Sequence, residues 1–202
     1  MKIFRFIFVV VMFSSLNSSK VSAQPVREND IILDMYYGYG SLSRAYVRGL
    51  AETNNGNFSG FGAIGLRFEY MLSDNLGLGF DANFMSSVAS WTDEAFQNGQ
   101  MITYRYEYSV QRTRFLPRLN YHFDTGDKLN SFVSVAAGYL NVSRTFDYND
   151  PDYGPEESSS FAPVAMRLAY GMRYFFNDNL AGNLEFGIGG GNMAHFGISY
   201  KL

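Results

Sequence analysis

His122 and His195 are the two side chains of this 202-residue chain that would ordinarily titrate near neutral pH, and cysteine is absent. Without a thiol, disulfides, thiolate metal sites and cysteine nucleophiles are excluded. A serine nucleophile needs a histidine base within hydrogen-bond reach. Ser199 follows His195 by four positions, and on a strand that spacing spans about 13 Å, so the pair would need a partner from another strand. His122 is read as a hydrogen-bonded interior filler. The acidic stretch DYNDPDYGPEESSS carries Asp147, Asp150, Asp152, Glu156 and Glu157. Its spacing matches no calcium-loop signature, and a solvated loop is the simpler reading. Gly187 to Gly191 does not lead from a strand into a helix, which excludes a phosphate loop. No catalytic residue, cofactor or metal is therefore expected.

The remaining chemistry is charge placed at alternate positions. In GLRFEYMLSDNLGLGFDANF (65–84) and GMRYFFNDNLAGNLEFGIG (171–189), bulky apolar residues alternate with Gly, Arg, Asn, Asp and Glu about a short Asp/Asn turn. The two segments form a weak repeat of one hairpin. Period two continues through most of the chain and predicts eight strands. Their expected spans are about 31–42, 58–72, 76–88, 101–123, 131–146, 161–176, 180–188 and 194–202. Tight turns at 73–75, 124–130 and 177–179 alternate with polar loops expected at 43–57, 89–100 and 147–160. The last long-side connection, 189–192, is short.

The first 23 residues read as a cleaved signal peptide. Lys2 and Arg5 precede an apolar run from Phe6 to Phe13, and Val21-Ser22-Ala23 is a small-residue cleavage site, so the mature barrel domain would span 24–202 from Gln24. No later segment has the apolar length of a spanning helix. The net charge of −3 offers no polyanion-binding composition, and no nucleic-acid partner is expected.

Volume decides which face is inside. One face carries residues such as Leu66, Phe68, Tyr70, Leu78, Phe80, Leu168, Tyr170, Phe196, Ile198, Tyr200 and Leu202. The other carries Gly, Ala, Ser and Asn interleaved with Asp34, Arg67, Glu69, Asp81, Arg114, Arg118, His122, Arg167, Arg173, Glu185 and His195. An eight-stranded ring has an interior only wide enough for side chains to fill, and the bulky set would overfill it. The charges therefore point inward and the apolar set faces lipid, giving an up-and-down transmembrane β-barrel with a polar, side-chain-filled lumen. A soluble barrel or sandwich would need a polar outer face, which is lacking. Closing the second hairpin with Leu72 opposite Leu76 puts Arg67 across from Asp81; closing the seventh puts Arg173 across from Asn183 and diagonal to Glu185. Tyr and Phe near strand ends, including Tyr37, Tyr121, Phe123, Tyr174 and Phe176, suit interfacial girdles. Pro117 has no backbone donor, which in a closed barrel costs a ladder bond unless a bulge sits there. Met101 to Gln111 is expected to project beyond the membrane, with Arg105, Glu107, Ser109 and Gln111 outward.

These features resemble the small outer-membrane barrels of Gram-negative bacteria, the OmpA-barrel, OmpX and PorT-like group, over about residues 31–202. The closing strand AHFGISYKL is similar to that group's assembly signal, with Phe196, Ile198, Tyr200 and Leu202 on one face and Leu202 in place of the usual terminal aromatic. The resemblance implies residence in the outer membrane with both termini periplasmic. It also implies contact with outer-membrane lipid and lipopolysaccharide, and insertion by the barrel assembly machinery. It does not single out a function. The leading expectation is a non-enzymatic structural or interaction role, binding an envelope component, a surface ligand or a larger complex through outer loops and the fourth and fifth strands. A narrow passive pore is the alternative. Lipid A modification is a third reading, although His195-Phe196-Gly197-Ile198 does not match the His-x-Ser-Asn motif of the lipid A deacylases.

Overall fold

The computed structural model describes residues 25–97, 100–149, 163–189 and 191–202. Eight antiparallel strands close in chain order: β1 (Ile31–Ser41), β2 (Asn57–Ser73), β3 (Leu76–Gln97), β4 (Gln100–Asp124), β5 (Leu129–Tyr148), β6 (Val164–Phe175), β7 (Leu180–Gly189) and β8 (Asn192–Lys201). Because β1 pairs with both β2 and β8, the ring closes and neither terminal strand is left as an edge. The expected signal segment 1–23 and its cleavage site at Ala23 and Gln24 lie outside the described residues, as do Asp150, Asp152, Glu156 and Glu157.

Alternation sorts the side chains as volume requires. On β2, Leu66 is 60% exposed and Phe68 44%, while Arg67 between them is 3% exposed. Exposed apolar residues continue around the ring through Leu78, Leu119, Val135, Leu168, Phe186 and Ile198. A continuous apolar belt of this kind suits lipid and would be an association surface in water. Tyr121 with Phe123, and Tyr174 with Phe176, meet edge to face at the short-turn end of the belt.

Three expectations need correction, and the alternative left open at Pro117 is resolved. The polar loop at 43–57 contains a helix, α1 (Leu42–Thr53). Val47 and Ala51, one turn apart, are buried against Ala89, Val110 and Val142, and packing of that narrow stripe stabilises a short helix interrupted by Gly49. Asn54 ends α1 by donating its side-chain amide to the Leu50 carbonyl at 2.8 Å, and Asn55 turns the chain away with φ of 50°. Second, the loop expected at 89–100 is largely strand: β3 pairs with β4 out to Gln97 opposite Gln100. Three strands, β3, β4 and β5, therefore rise past the apolar belt. Pro117 sits in a ladder gap without a bulge. Phe115 opposite Tyr139 and Arg118 opposite Ala136 keep one register across it, and Gly138 leaves room for the proline ring. The apolar set changes face near Pro117 because the outer surroundings change, while the wall itself continues unbroken. Third, Met71 faces Gly77 and Ser73 faces Leu76, which leaves Leu72 in a bulge; the Arg67–Asp81 rung is unaffected.

Large and small side chains interlock across the lumen. A Cβ on Gly65 would lie 2.2 Å from the Tyr36 ring, and one on Gly171 would lie 2.3 Å from Phe132. The short-turn end is closed by Val26, packed with Ile32, Met71, Phe175 and Ala181. The other end is roofed by α1. Gly65→Val is expected to displace Tyr36 and lower the unfolding free energy by about 1–3 kcal/mol. Gly49→Ala, where an added Cβ meets nothing within 4 Å, is expected to leave it unchanged or raise it by up to about 1 kcal/mol. Urea unfolding of the two variants in detergent, read from mobility on unheated gels, checks both.

Candidate functional site

The inward charges form one network in which most ions have several partners. Arg67 on β2 lies opposite Asp81 on β3, with Nε 2.8 Å from Oδ2, and also reaches Glu185 Oε1 at 3.1 Å. Its guanidinium lies 4.0 Å from the centre of the Tyr36 ring, and Tyr36 donates its hydroxyl to Asp81 at 2.6 Å. Glu185 on β7 accepts from three guanidiniums: Arg67, Arg118 at 2.8 Å and Arg167 at 2.9 Å. A second cluster nearer the short turns joins Arg173 to both Asp34 oxygens, at 3.2 and 2.9 Å, and to Glu69 at 2.7 Å. Asp34 Oδ2 stands 3.9 Å from Arg67, which links the clusters.

Arg173 does pair in register with Asn183, but its partners are Asp34 and Glu69 across the lumen, and the diagonal Glu185 is not among them. The long guanidiniums span the interior instead of running along the wall. Arg114 differs from the other buried arginines. It donates to Asn83 at 3.2 Å, while its Nε is buried without a partner. Tyr36, Asn120 and Arg167 complete the network. Arg167 carried the signal of parity, and Tyr36 is explained by the void that Gly65 leaves beside it.

Both histidines belong to this packing. His122 Nε2 is 2.7 Å from Glu69 Oε1 and Nδ1 is 3.1 Å from Asn130 Oδ1. His195 stacks on Tyr36 with ring centres 4.4 Å apart, and its Nδ1 accepts a hydrogen bond from Arg67. Ser199 accepts from Asn183 at 3.0 Å and sits on the rung opposite Ala181, whereas His195 sits opposite Glu185. No serine–histidine contact forms there, and among the described residues no three metal-ligating side chains gather. In the upper wall, Trp91 stacks on Tyr106 at 5.6 Å and Tyr106 on Phe146 at 6.2 Å, while Tyr139 faces outward in the belt. The column of Trp91, Tyr106 and Phe146 is thus cross-strand packing on the inner side.

Removing one member of a buried ion pair strands its partners, whereas removing a buried cation that has no carboxylate partner strands no ion. Glu185→Ala leaves Arg67, Arg118 and Arg167 short of charge and is expected to destabilise the barrel by about 3–5 kcal/mol. Arg114→Gln, which removes a single hydrogen bond, is expected to cost no more than about 1.5 kcal/mol. Equilibrium unfolding in urea, followed by fluorescence of the single tryptophan, Trp91, compares them.

Residues 6–196 match the family described as "Outer membrane protein beta-barrel domain". No curated protein sequence matches the chain. Among solved structures, the chain is similar to the N-terminal β-barrel domain of Pseudomonas aeruginosa OprF, at 16% identity and TM-score 0.42, covering 88% of this chain and 100% of that one. It is also similar to Ail of Yersinia pestis, solved in complex with the heparin analogue sucrose octasulfate, at 9% identity and TM-score 0.46, covering 87% and 99%. The outer membrane protein W of E. coli matches at 13% identity and TM-score 0.43, covering 87% and 99%. A closed eight-stranded ring with an apolar belt outside and paired ions inside agrees with the family match, and the chain belongs to the outer membrane protein β-barrel domain family of Gram-negative envelopes.

Proposed function

We propose that this barrel is a non-enzymatic structural or interaction component of the outer membrane, working through its long-loop end. The observation that carries the reading is closure of the lumen at three levels. Val26 and its apolar neighbours plug the short-turn end, the ion network crosses the middle, and α1 packs over the far end on Ala89, Val110 and Val142. A filled lumen argues against the pore reading, and histidines engaged with Glu69 and Arg67 argue against hydrolytic chemistry. What stays available is the surface formed by β3, β4 and β5 above the belt.

In this reading the short-turn end and both termini face the periplasm, following the pattern of short periplasmic turns and longer outer loops. Residues 1–23 direct export and are removed. Phe196, Ile198, Tyr200 and Leu202, exposed by 47–64% on the outward face of the closing segment, serve as the signal read by the barrel assembly machinery. Lipid and lipopolysaccharide surround the belt. A partner envelope protein or surface ligand contacts the raised strands, whose outward faces carry Arg105, Glu107, Ser109 and Gln111.

Purification of the tagged protein from its own outer membrane in mild detergent, after cross-linking, tests this reading by mass spectrometry. The expected result is a companion at fixed stoichiometry, with cross-links on β3–β5 and none on the short turns. A lipid A mass change that depends on the gene and disappears in His195→Ala would instead establish enzymatic function and overturn the proposal.

A further inference from the structure

The charge balance of the lumen changes toward the long-loop end. Asp34, Glu69, Asp81 and Glu185 are matched by Arg67, Arg118, Arg167 and Arg173. Beyond them the inward face carries Arg112, Arg114 and Arg144, and none of the three has a carboxylate partner among the described residues. Arg112 and Arg144 are diagonal neighbours, since Val110 pairs with Arg144 and Arg112 with Val142. The Nε atoms of Arg112 and Arg114 are buried without an acceptor. Two like charges this close repel, and enclosure away from water strengthens the repulsion. The chain maintains this arrangement without an internal anion to offset it among the described residues.

A cavity of about 360 Å³ opens between these arginines and α1. Arg112, Arg144 and Tyr108 form one wall, and Ser43, Tyr46 and Val47 from the start of the helix form the other. Ser41 at the helix N-cap makes no side-chain capping bond, and the first turn has no acidic residue. The positive end of α1 therefore adds to the two guanidiniums at the same place. Paired guanidiniums offer planar donor forks suited to tetrahedral oxyanions, and the hydroxyls of Tyr46 and Tyr108 line the cavity beside them, with that of Ser43 shared with Ser41 at 3.0 Å. The volume admits a phosphate group with part of the molecule that bears it.

We propose that this cavity at the outer mouth binds a phosphate group. It gives the interaction surface described above a ligand class, and so rests on that reading, but the two fail separately. A companion protein recovered from a barrel that binds no phosphate would keep the interaction role and remove this site.

The test is calorimetric titration of the purified full chain in detergent with inorganic phosphate, at constant ionic strength held by chloride. One saturable site per chain is expected. Affinity should fall at least about tenfold in Arg112→Gln/Arg144→Gln and recover in part in Arg112→Lys/Arg144→Lys. The single variant Arg144→Gln, at a partly exposed position, repeats the comparison with less demand on folding, and unheated-gel mobility verifies the barrel in each case. Nanodiscs made with a phosphomonoester lipid or its dephosphorylated counterpart separate the sources. Weaker apparent binding of inorganic phosphate in the first assigns the site to a lipid headgroup, and equal binding assigns it to a soluble phosphate. Absence of saturable binding to the wild-type chain, or binding unchanged by either glutamine variant, would overturn the proposal. So would binding that arises only after Asp150, Asp152, Glu156 and Glu157 are neutralised, because that acidic stretch would then be the occupant.

Discussion

Asp34, Glu69, Asp81 and Glu185, buried in a ring of eight strands, can remain ionised only if cations reach them, and that requirement organises the rest of the barrel. Arg67 and Glu185 sit at its centre. Each holds several partners drawn from different strands, so the network ties β1, β2, β3, β4, β6 and β7 together across the interior. A guanidinium needs a long reach and a flat slot, which is why the remaining inward positions are so often Gly, Ala, Ser or Asn. The same parity that brings these residues inward turns the bulky apolar residues toward lipid. Inside and outside are thus set by one alternation, and the interior ions specify its register as much as they stabilise it.

Shape follows from filling that interior. Tyr36 and Phe132 occupy the space opposite Gly65 and Gly171, and the histidines close gaps beside Glu69 and Arg67. Above the belt the pressure to hide charge from lipid is gone. There the inward face becomes aromatic, the outward face polar, and α1 covers the opening with Val47 and Ala51. The arginines left beneath that cover have no internal carboxylate among the described residues, and this makes the long-loop mouth chemically distinct from the filled barrel below it.

Much of this architecture is legible in the alternation alone. The Arg67–Asp81 rung follows from hairpin closure, and the sidedness of the wall follows from side-chain volume. Three kinds of feature were less accessible. Partners across the lumen, such as Arg173 with Asp34 and Glu69, depend on the curvature of the ring, which local pairing rules do not contain. Helix α1 has a narrow apolar stripe and an internal glycine, so it reads as a loop until Ala89, Val110 and Val142 are brought beneath it. The extension of β3 to Gln97 is hidden because polar residues on its outward face follow no lipid-facing pattern. The two histidines illustrate the reverse case. They invite a catalytic interpretation from their types, and their neighbours make them part of the filling.

The account rests on a lumen closed by matched charge and capped at both ends. Single-channel recording of the pure wild-type protein in a planar bilayer tests that most directly. The account requires silence across the voltage range in which the bilayer itself is stable. Stepwise conductance that is abolished or enlarged on replacing Arg67 or Arg173 would show an open path through the network and contradict it.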